Sequence, residues 1–243
     1  MIARDGAMQG GKSGSVLVAA ALAVAAPGAA RADSQTFVVT SFDTLRVEGP
    51  VRVEVKTGAG VAARGEGARA TLDRVRLDLS GRMLTVKLMP LRPGEKAAGV
   101  ATLRLSTGEL RRLVLGGGGS ISVDRIKGMS ADIATNGNGD VRAESMDVDR
   151  LTVALAGGGR VTLAGKAGVA DIRVSGPGQV AADGLVARQA RLFNDGPGTI
   201  GVTAAVSAQV RATGSGTVTV LGKAACTATN NGTGQIHCGG ASY

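Results

Sequence analysis

The chain of 243 residues carries 28 Lys and Arg against 19 Asp and Glu, a formal charge of +9, with 39 glycines and no tryptophan. One tyrosine and three phenylalanines are its only aromatic residues, and a globular enzyme of this length would use more of them to fill its core. The core must therefore be thin and built from Val, Ile, Leu and Ala, in one domain or one elongated array.

Arg4 and Lys12 precede an apolar run from Val16 to Ala26, followed by Pro27, Gly28 and the triplet Ala30-Arg31-Ala32. A basic start, a short apolar stretch and a small-x-small site predict a secretory signal peptide over 1–32, cleaved after Ala32. The apolar run is too short to span a bilayer, which needs roughly 20 residues. The mature chain is accordingly expected to be exported, to the periplasm or the cell surface, with no transmembrane segment. Residues 6–13, GAMQGGKS, match the phosphate-binding pattern GxxxxGK[ST]. That chemistry needs a strand before the loop and a helix after it. Only five residues precede the motif, and cleavage would remove it, so it is read as coincidence. Loss of residues 1–32 removes three basic residues (Arg4, Lys12, Arg31) and one acidic (Asp5), leaving +7.

Residues 33–107 are β-rich without a period and are assigned as an N-terminal cap. Leu45-Arg46-Val47, Val51 to Val55, Val75 to Leu79, Leu84-Thr85-Val86 and Leu103-Arg104-Leu105 all alternate apolar with polar. Gly65 to Arg74 suits a short helical turn, and a loop holds Pro90, Pro93 and Gly94. A cap is required because an open solenoid end exposes unpaired strand edges.

From 108 to 243 the sequence repeats. Seven segments share a Gly-x-Gly turn whose second glycine falls at Gly119, Gly139, Gly159, Gly178, Gly198, Gly216 and Gly234, at intervals of 20, 20, 19, 20, 18 and 18 residues. Two residues after these anchors stand Ile121, Val141, Val161, Val180, Ile200, Val218 and Ile236, all β-branched. Six before them stand Leu113, Ile133, Val153, Ile172, Leu192, Val210 and Ala228. Each unit reads as strand, glycine turn, strand. The fold class is all-β: a parallel β-helix-like solenoid of about seven repeats, continuous with the cap. Glycine suits the corners because a tight turn demands positive φ and leaves no room for Cβ beneath the next layer. An antiparallel sandwich of hairpins is the competing architecture, since Asn-Gly and Asp-Gly also favour hairpins.

The turns at 135–141 (TNGNGDV) and 213–218 (TGSGTV), with the opening Phe42 to Val47 and Val51 to Val55, resemble the bacterial auto-transporter adhesin head GIN domain family. The likeness runs from Phe37 to Gly239. It implies a β-helix similar to pectin lyases, a role in adhesion and no agreed catalytic residues.

Chemistry is weighed on the residues themselves. A calcium-binding repeat needs an acid at a fixed place in every unit, yet the residue after each anchor is Ser120, Asp140, Arg160, Gln179, Thr199, Thr217 or Gln235. A carbohydrate-active enzyme of pectin-lyase-like fold is the alternative function; its candidate acids are Asp124, Asp140, Glu144 and Asp183, with Asp124 and Glu144 able to stack in neighbouring layers. Carboxylates on a solvated sheet face ordinarily serve solubility. The lone His237 should point outward, and one histidine builds no usual zinc site. No metal or cofactor is expected. The positive charge suits an envelope polysaccharide or another protein, although Arg46, Arg52, Arg74, Arg76, Arg82, Arg111, Arg112 and Arg125 are dispersed along the chain. Nucleic acid is excluded as a partner by export and by the missing aromatic platforms. The leading expectation is a non-catalytic structural or binding module.

Cys226 and Cys238 are the only cysteines of an exported chain and so are candidates for a disulfide. They lie eight before and four after Gly234 and share the inward parity. Two reduced, buried thiols are the other reading, because facing sheets about 10 Å apart would hold the Cα atoms too far apart.

Overall fold

The computed structural model describes residues 33–239 and the backbone of 241–242. The expected signal peptide and the phosphate-loop pattern lie outside the described residues. The first half of the chain supplies short strands: β1 (Asp33–Phe37), β2 (Thr44–Glu48), β3 (Arg52–Thr57) and β4 (Ala62–Gly67). A single helical turn, α1 (Arg69–Leu72), leads to β5 (Val75–Ser80), β6 (Met83–Leu88), β7 (Thr102–Thr107) and β8 (Arg112–Gly116). Long bent strands follow: β9 (Ser120–Asn136), β10 (Asp140–Ala156), β11 (Arg160–Ser175), β12 (Gln179–Asn194) and β13 (Thr199–Ala212). The chain closes with β14 (Thr217–Leu221), β15 (Ala225–Asn230), β16 (Gln235–Cys238) and β17 (Ala241–Ser242).

The long strands pair in parallel with their sequence neighbours, in registers that align equivalent repeat positions: Val141 on Ile121, Val161 on Val141, Val180 on Val161, Ile200 on Val180. This is a parallel β-solenoid, not a hairpin sandwich. The seven glycine corners bound about six turns. Each turn has a first sheet, formed by the residues after the corner, and a second sheet, formed by those before the next one. Side chains directed inward from both sheets merge into one buried cluster that runs from Phe42 to Cys238.

The cap is more regular than its sequence suggests. β2 and β3 form a further unit of the stack, around a corner at Gly49-Pro50. On one side, β2 pairs in parallel with β8 and β3 with β9. On the other, β2 pairs in parallel with β6 and β3 with β7. One inner column therefore reads Leu84, Leu45, Leu113, Ile133, Val153, Ile172, Leu192, Val210, Ala228. The facing column reads Leu103, Val53, Ile121, Val141, Val161, Val180, Ile200, Val218, Ile236. Nine layers at about 4.8 Å spacing make a stack of roughly 38 Å. The first unit in the sequence is the second layer in space. Beyond the outermost layer, β4 lies antiparallel to β7, β5 antiparallel to β6, and β1 antiparallel to β4. The helical turn expected between Gly65 and Arg74 is α1, and its buried Thr71 and Leu72 plug this end of the core.

Two different glycines make each corner. At Gly139 a Cβ would lie 2.6 Å from the Gly119 carbonyl oxygen and 2.6 Å from Leu115 Cδ2, so the anchor has no room for a side chain. The positive φ falls two residues earlier, at Gly117, Gly137, Gly157 and Gly176. From Asn194 onward the corners lengthen by one residue, and an asparagine braces two of them. Asn194 Nδ2 donates to the Gly198 carbonyl at 2.8 Å, and Asn230 Nδ2 to the Gly234 carbonyl at 2.9 Å.

Candidate functional site

Three of the four acids singled out in the sequence sit on the outer surface of the first sheet. Asp124, Asp140 and Glu144 line an open hollow of about 550 Å³, together with Arg52, Glu54, Lys56 and Arg142. Asp124 is held there by the cap: its Oδ1 accepts the Thr57 backbone N–H at 2.9 Å, the Thr57 hydroxyl at 3.2 Å and the Arg125 N–H at 2.7 Å. The Thr57 contacts fasten the end of β3 to β9, helped by the Thr57 hydroxyl donating to the Arg125 carbonyl at 2.7 Å. Glu144 lies 3.7 Å from Arg142, with both side chains more than half exposed. Asp183 falls elsewhere, where the register between β12 and β13 shifts. Its backbone carbonyl accepts the Thr203 hydroxyl at 2.8 Å.

Among the described residues, no three His, Cys, Asp or Glu side chains converge on a point that could hold a metal ion. His237 Nε2 lies 3.3 Å from Gln235 Oε1 on the outer surface. The anchor glycines Gly119, Gly139, Gly159, Gly178, Gly198, Gly216 and Gly234 stack one above another. An added Cβ on any of them would meet backbone of the preceding layer.

Cys226 on β15 and Cys238 on β16 are joined by a disulfide, with their Cα atoms 6.3 Å apart. The preceding turns place Ala131 and Ala143, Leu151 and Leu163, Ala170 and Ala182, Ala190 and Val202, and Ala208 and Val220 at the same two offsets, all buried. Small residues dominate these positions, which lets the sheets approach more closely than the usual 10 Å.

The outer surface of the second sheet carries the more distinctive set. One row runs along the stack through Arg46, Val114, Ala134, Ala154, Arg173, Phe193, Arg211 and Thr229, each in register with the next. The small side chains of Val114, Ala134 and Ala154 leave an open trough of about 510 Å³, with Arg46 and Glu48 at one end and Arg173 at the other. Arg46 Nε pairs with Glu48 at 2.9 Å. The Arg173 guanidinium lies 5.0 Å from the centre of the Phe193 ring, a cation–π distance. Arg211 is in register with Phe193 in the next layer, and the two line a second hollow of about 280 Å³ with Thr227 and Thr229. The other two phenylalanines serve the core: Phe42 is wholly buried, and Phe37 packs against the cluster. Phe193 is thus an outward, half-buried ring paired with Arg173, which the sequence reading missed. Its signal was parity: Leu192 and Asn194 point inward, which places Phe193 outside.

At the other end, the Asp43 side chain is half-buried next to Arg82, with Nε to Oδ2 at 2.7 Å. Burial raises its pKa, but hydrogen bonds from Arg82 and Thr44 and the charges of Arg82 and Arg111 outweigh burial and hold it below the ordinary value.

Such an arrangement defines a class: a capped parallel β-solenoid with open, polar outer faces. Within that class the chain belongs to the family described as "Putative auto-transporter adhesin, head GIN domain", whose model matches residues 41–224. No curated protein matches the chain significantly by sequence. Solved structures match in fold. An adhesin-like protein from Bacteroides fragilis NCTC 9343, described as a "putative adhesin", is 18% identical, with a TM-score of 0.77 over 86% of this chain and 97% of that one. A "putative lipid binding protein" from Parabacteroides distasonis ATCC 8503 is 18% identical, with a TM-score of 0.69 over 86% and 96%. A "putative adhesin" from Parabacteroides merdae ATCC 43184 is 17% identical, with a TM-score of 0.59 over 86% and 97%. Among the described residues, no helix is long and apolar enough to cross a membrane.

Proposed function

We propose that the protein is an exported, non-catalytic binding module of the cell envelope, and that its outer second sheet holds an acidic polysaccharide. The Arg173–Phe193–Arg211 ladder carries this reading. Arg173 and Arg211 offer charge-assisted donors for the carboxylates of a sugar acid, and the Phe193 ring, which the Arg173 guanidinium approaches to 5.0 Å, holds that donor in place between them. Leading away from the ladder, the Val114–Ala134–Ala154 trough gives an extended chain room to lie against the sheet, with Arg46 at its far end. The formal charge of +7 that remains after loss of residues 1–32 favours an anionic partner. Adhesion, the role in the family description, then amounts to contact between this face and the polysaccharide of a surface.

Non-catalysis is supported by the state of the candidate acids. Asp124 is engaged as a structural acceptor, Glu144 lies near a basic neighbour, and their hollow is open to solvent. The disulfide suits an oxidising compartment.

Titration with polygalacturonate against a neutral glucan tests the proposal. The native protein should bind the polyuronate, more weakly as ionic strength rises. Phe193→Ala and the pair Arg173→Ala with Arg211→Ala should each lose about tenfold or more in affinity. Equal binding of the neutral glucan, or unchanged affinity in the variants, would reject it. Binding to anionic lipid vesicles without binding to polyuronate would transfer the role to a lipid headgroup.

A further inference from the structure

We infer that the open edge of β15 is a self-association site, where a second copy of this chain pairs antiparallel with the first across a two-fold axis. β15 pairs with β13 on one side only. Among the described residues no strand covers its other side. β16, the other strand of the terminal layer, is partly covered by β17, through His237 with Ser242 and Cys238 with Ala241. The remaining row of N–H and C=O groups along β15 is a ready template for another strand.

The edge strand β5 at the cap is guarded in a way that β15 is not. At the cap, β5 carries Arg76, whose Nη1 donates to the Asp73 and Val75 carbonyls at 2.9 and 3.0 Å. Arg74 reaches from the same region to the Met89 carbonyl at 2.6 and 2.9 Å. Side-chain donors and charge make that edge unattractive to another strand. At the far end, no Asp, Glu, Lys or Arg occurs after Lys223. The residues of β15 are Ala225, Cys226, Thr227, Ala228, Thr229 and Asn230, none of which carries a charge.

Neutrality is what singles out a second copy as the occupant. An isologous contact brings each residue against the same surface of its twin, so any net charge in the patch repels itself. In a chain that keeps a charge of +7 after loss of residues 1–32, β15 is a stretch that can meet its own image without that penalty. Antiparallel pairing of identical strands has the required two-fold symmetry, and it places Thr227 and Thr229 among their counterparts across the axis. The disulfide between β15 and β16 holds the edge in a fixed shape before contact, which lowers the ordering cost of association. Leu221 and Val206, respectively 44% and 54% exposed in the adjoining turn, add apolar surface near the edge.

Sedimentation velocity over a range of concentrations tests the inference on the oxidised native chain. A dimer should appear as concentration rises. The pair Thr227→Lys with Thr229→Lys, and separately Thr227→Glu with Thr229→Glu, should sediment as monomers with unchanged circular dichroism and melting temperature. Mixing the lysine and glutamate proteins in equal amounts should restore the dimer, because opposite charges now face each other. That rescue separates a lost contact from a lost fold. A native chain that stays monomeric at every concentration would overturn the inference. So would variants that dimerise as the native chain does, or a mixture that stays monomeric.

Discussion

Residues 44–57 and residues 132–145 build the same object, two strand segments around a corner with a buried column on each, but they reach it by different routes. The array unit is flanked in space by its neighbours in sequence, so each turn of chain adds one layer. The early unit is flanked by strands that arrive later. The chain lays down β2 and β3, passes outside them through β4 to β7, then returns on their other face with β8 and β9. Asp43 marks the crossing point. Its N–H donates to the Arg82 carbonyl at 3.1 Å, and its own carbonyl accepts the Arg111 and Arg112 N–H groups at 2.8 and 3.1 Å. Stacking needs matched columns; it does not need matched chain order. A solenoid can therefore close its first end with a layer that cannot simply peel away from the terminus.

The largest test of that equivalence lies in the shared column. Val53 and Val161 are both wholly buried. Aspartate at either should cost on the order of 4 kcal/mol or more, because a buried charge without a partner is poorly tolerated. Urea unfolding should show equal losses at the two sites and a small effect at half-buried Thr162→Asp. A mild Val53→Asp would reduce β2 and β3 to a loose appendage.

Corners sharpen the contrast next. Gly139→Ala should lose about 2–3 kcal/mol, since its Cβ meets the backbone of the layer before it. Gly58, which follows β3, has a φ of +73° with nothing within 4 Å of an added Cβ. Gly58→Ala should therefore cost only the left-handed strain of about 1–2 kcal/mol. The array corner fails by collision and the cap turn by dihedral strain. Equal losses would remove the distinction.

The smallest effect is acid sensitivity at the crossing point. Asp43 has a lowered pKa in the folded chain. Its stabilising contribution is complete above the unfolded value of about 3.9 and disappears as pH falls through the folded value. The urea midpoint of the native chain should drop below about pH 4. Asp43→Asn should show less of that drop, and an identical pH profile would discount the Arg82 contact.

The array was legible because seven units repeat both a turn and its flanking parity. The early layer carries the same spacing, eight residues from Leu45 to Val53 as from Ile133 to Val141. It stands alone, its corner is Gly49-Pro50 instead of Gly-x-Gly, and its partners Leu113 and Ile121 lie 68 residues further on. A single unit offers no period, and periodicity reports nothing about a layer placed out of order. The disulfide was a candidate in the sequence because Cys226 and Cys238 are the only cysteines and share the inward parity of the repeat. The 6.3 Å Cα separation that permits it depends on a close approach of the sheets that offsets do not report. The position of Phe193 followed from the same parity. Its meeting with Arg173 and Arg211 depends on cross-layer register, which links residues 18 to 20 positions apart and shows only when the turns are superimposed.

Engineered disulfides across three layers test the layer order most directly. Thr44 pairs in register with Met83 on one side and with Arg112 on the other. Cysteines at 44 and 83, or at 44 and 112, would have Cα atoms about 4.8 Å apart, within bonding range. Cysteines at 83 and 112 would lie two layers apart, roughly 10 Å, beyond that range. Mild oxidation followed by mapping of the linked peptides should give efficient bonds for the first two pairs and none for the third. Bonding of the 83 and 112 pair, with both pairs involving 44 left reduced, would contradict the interleaved stack.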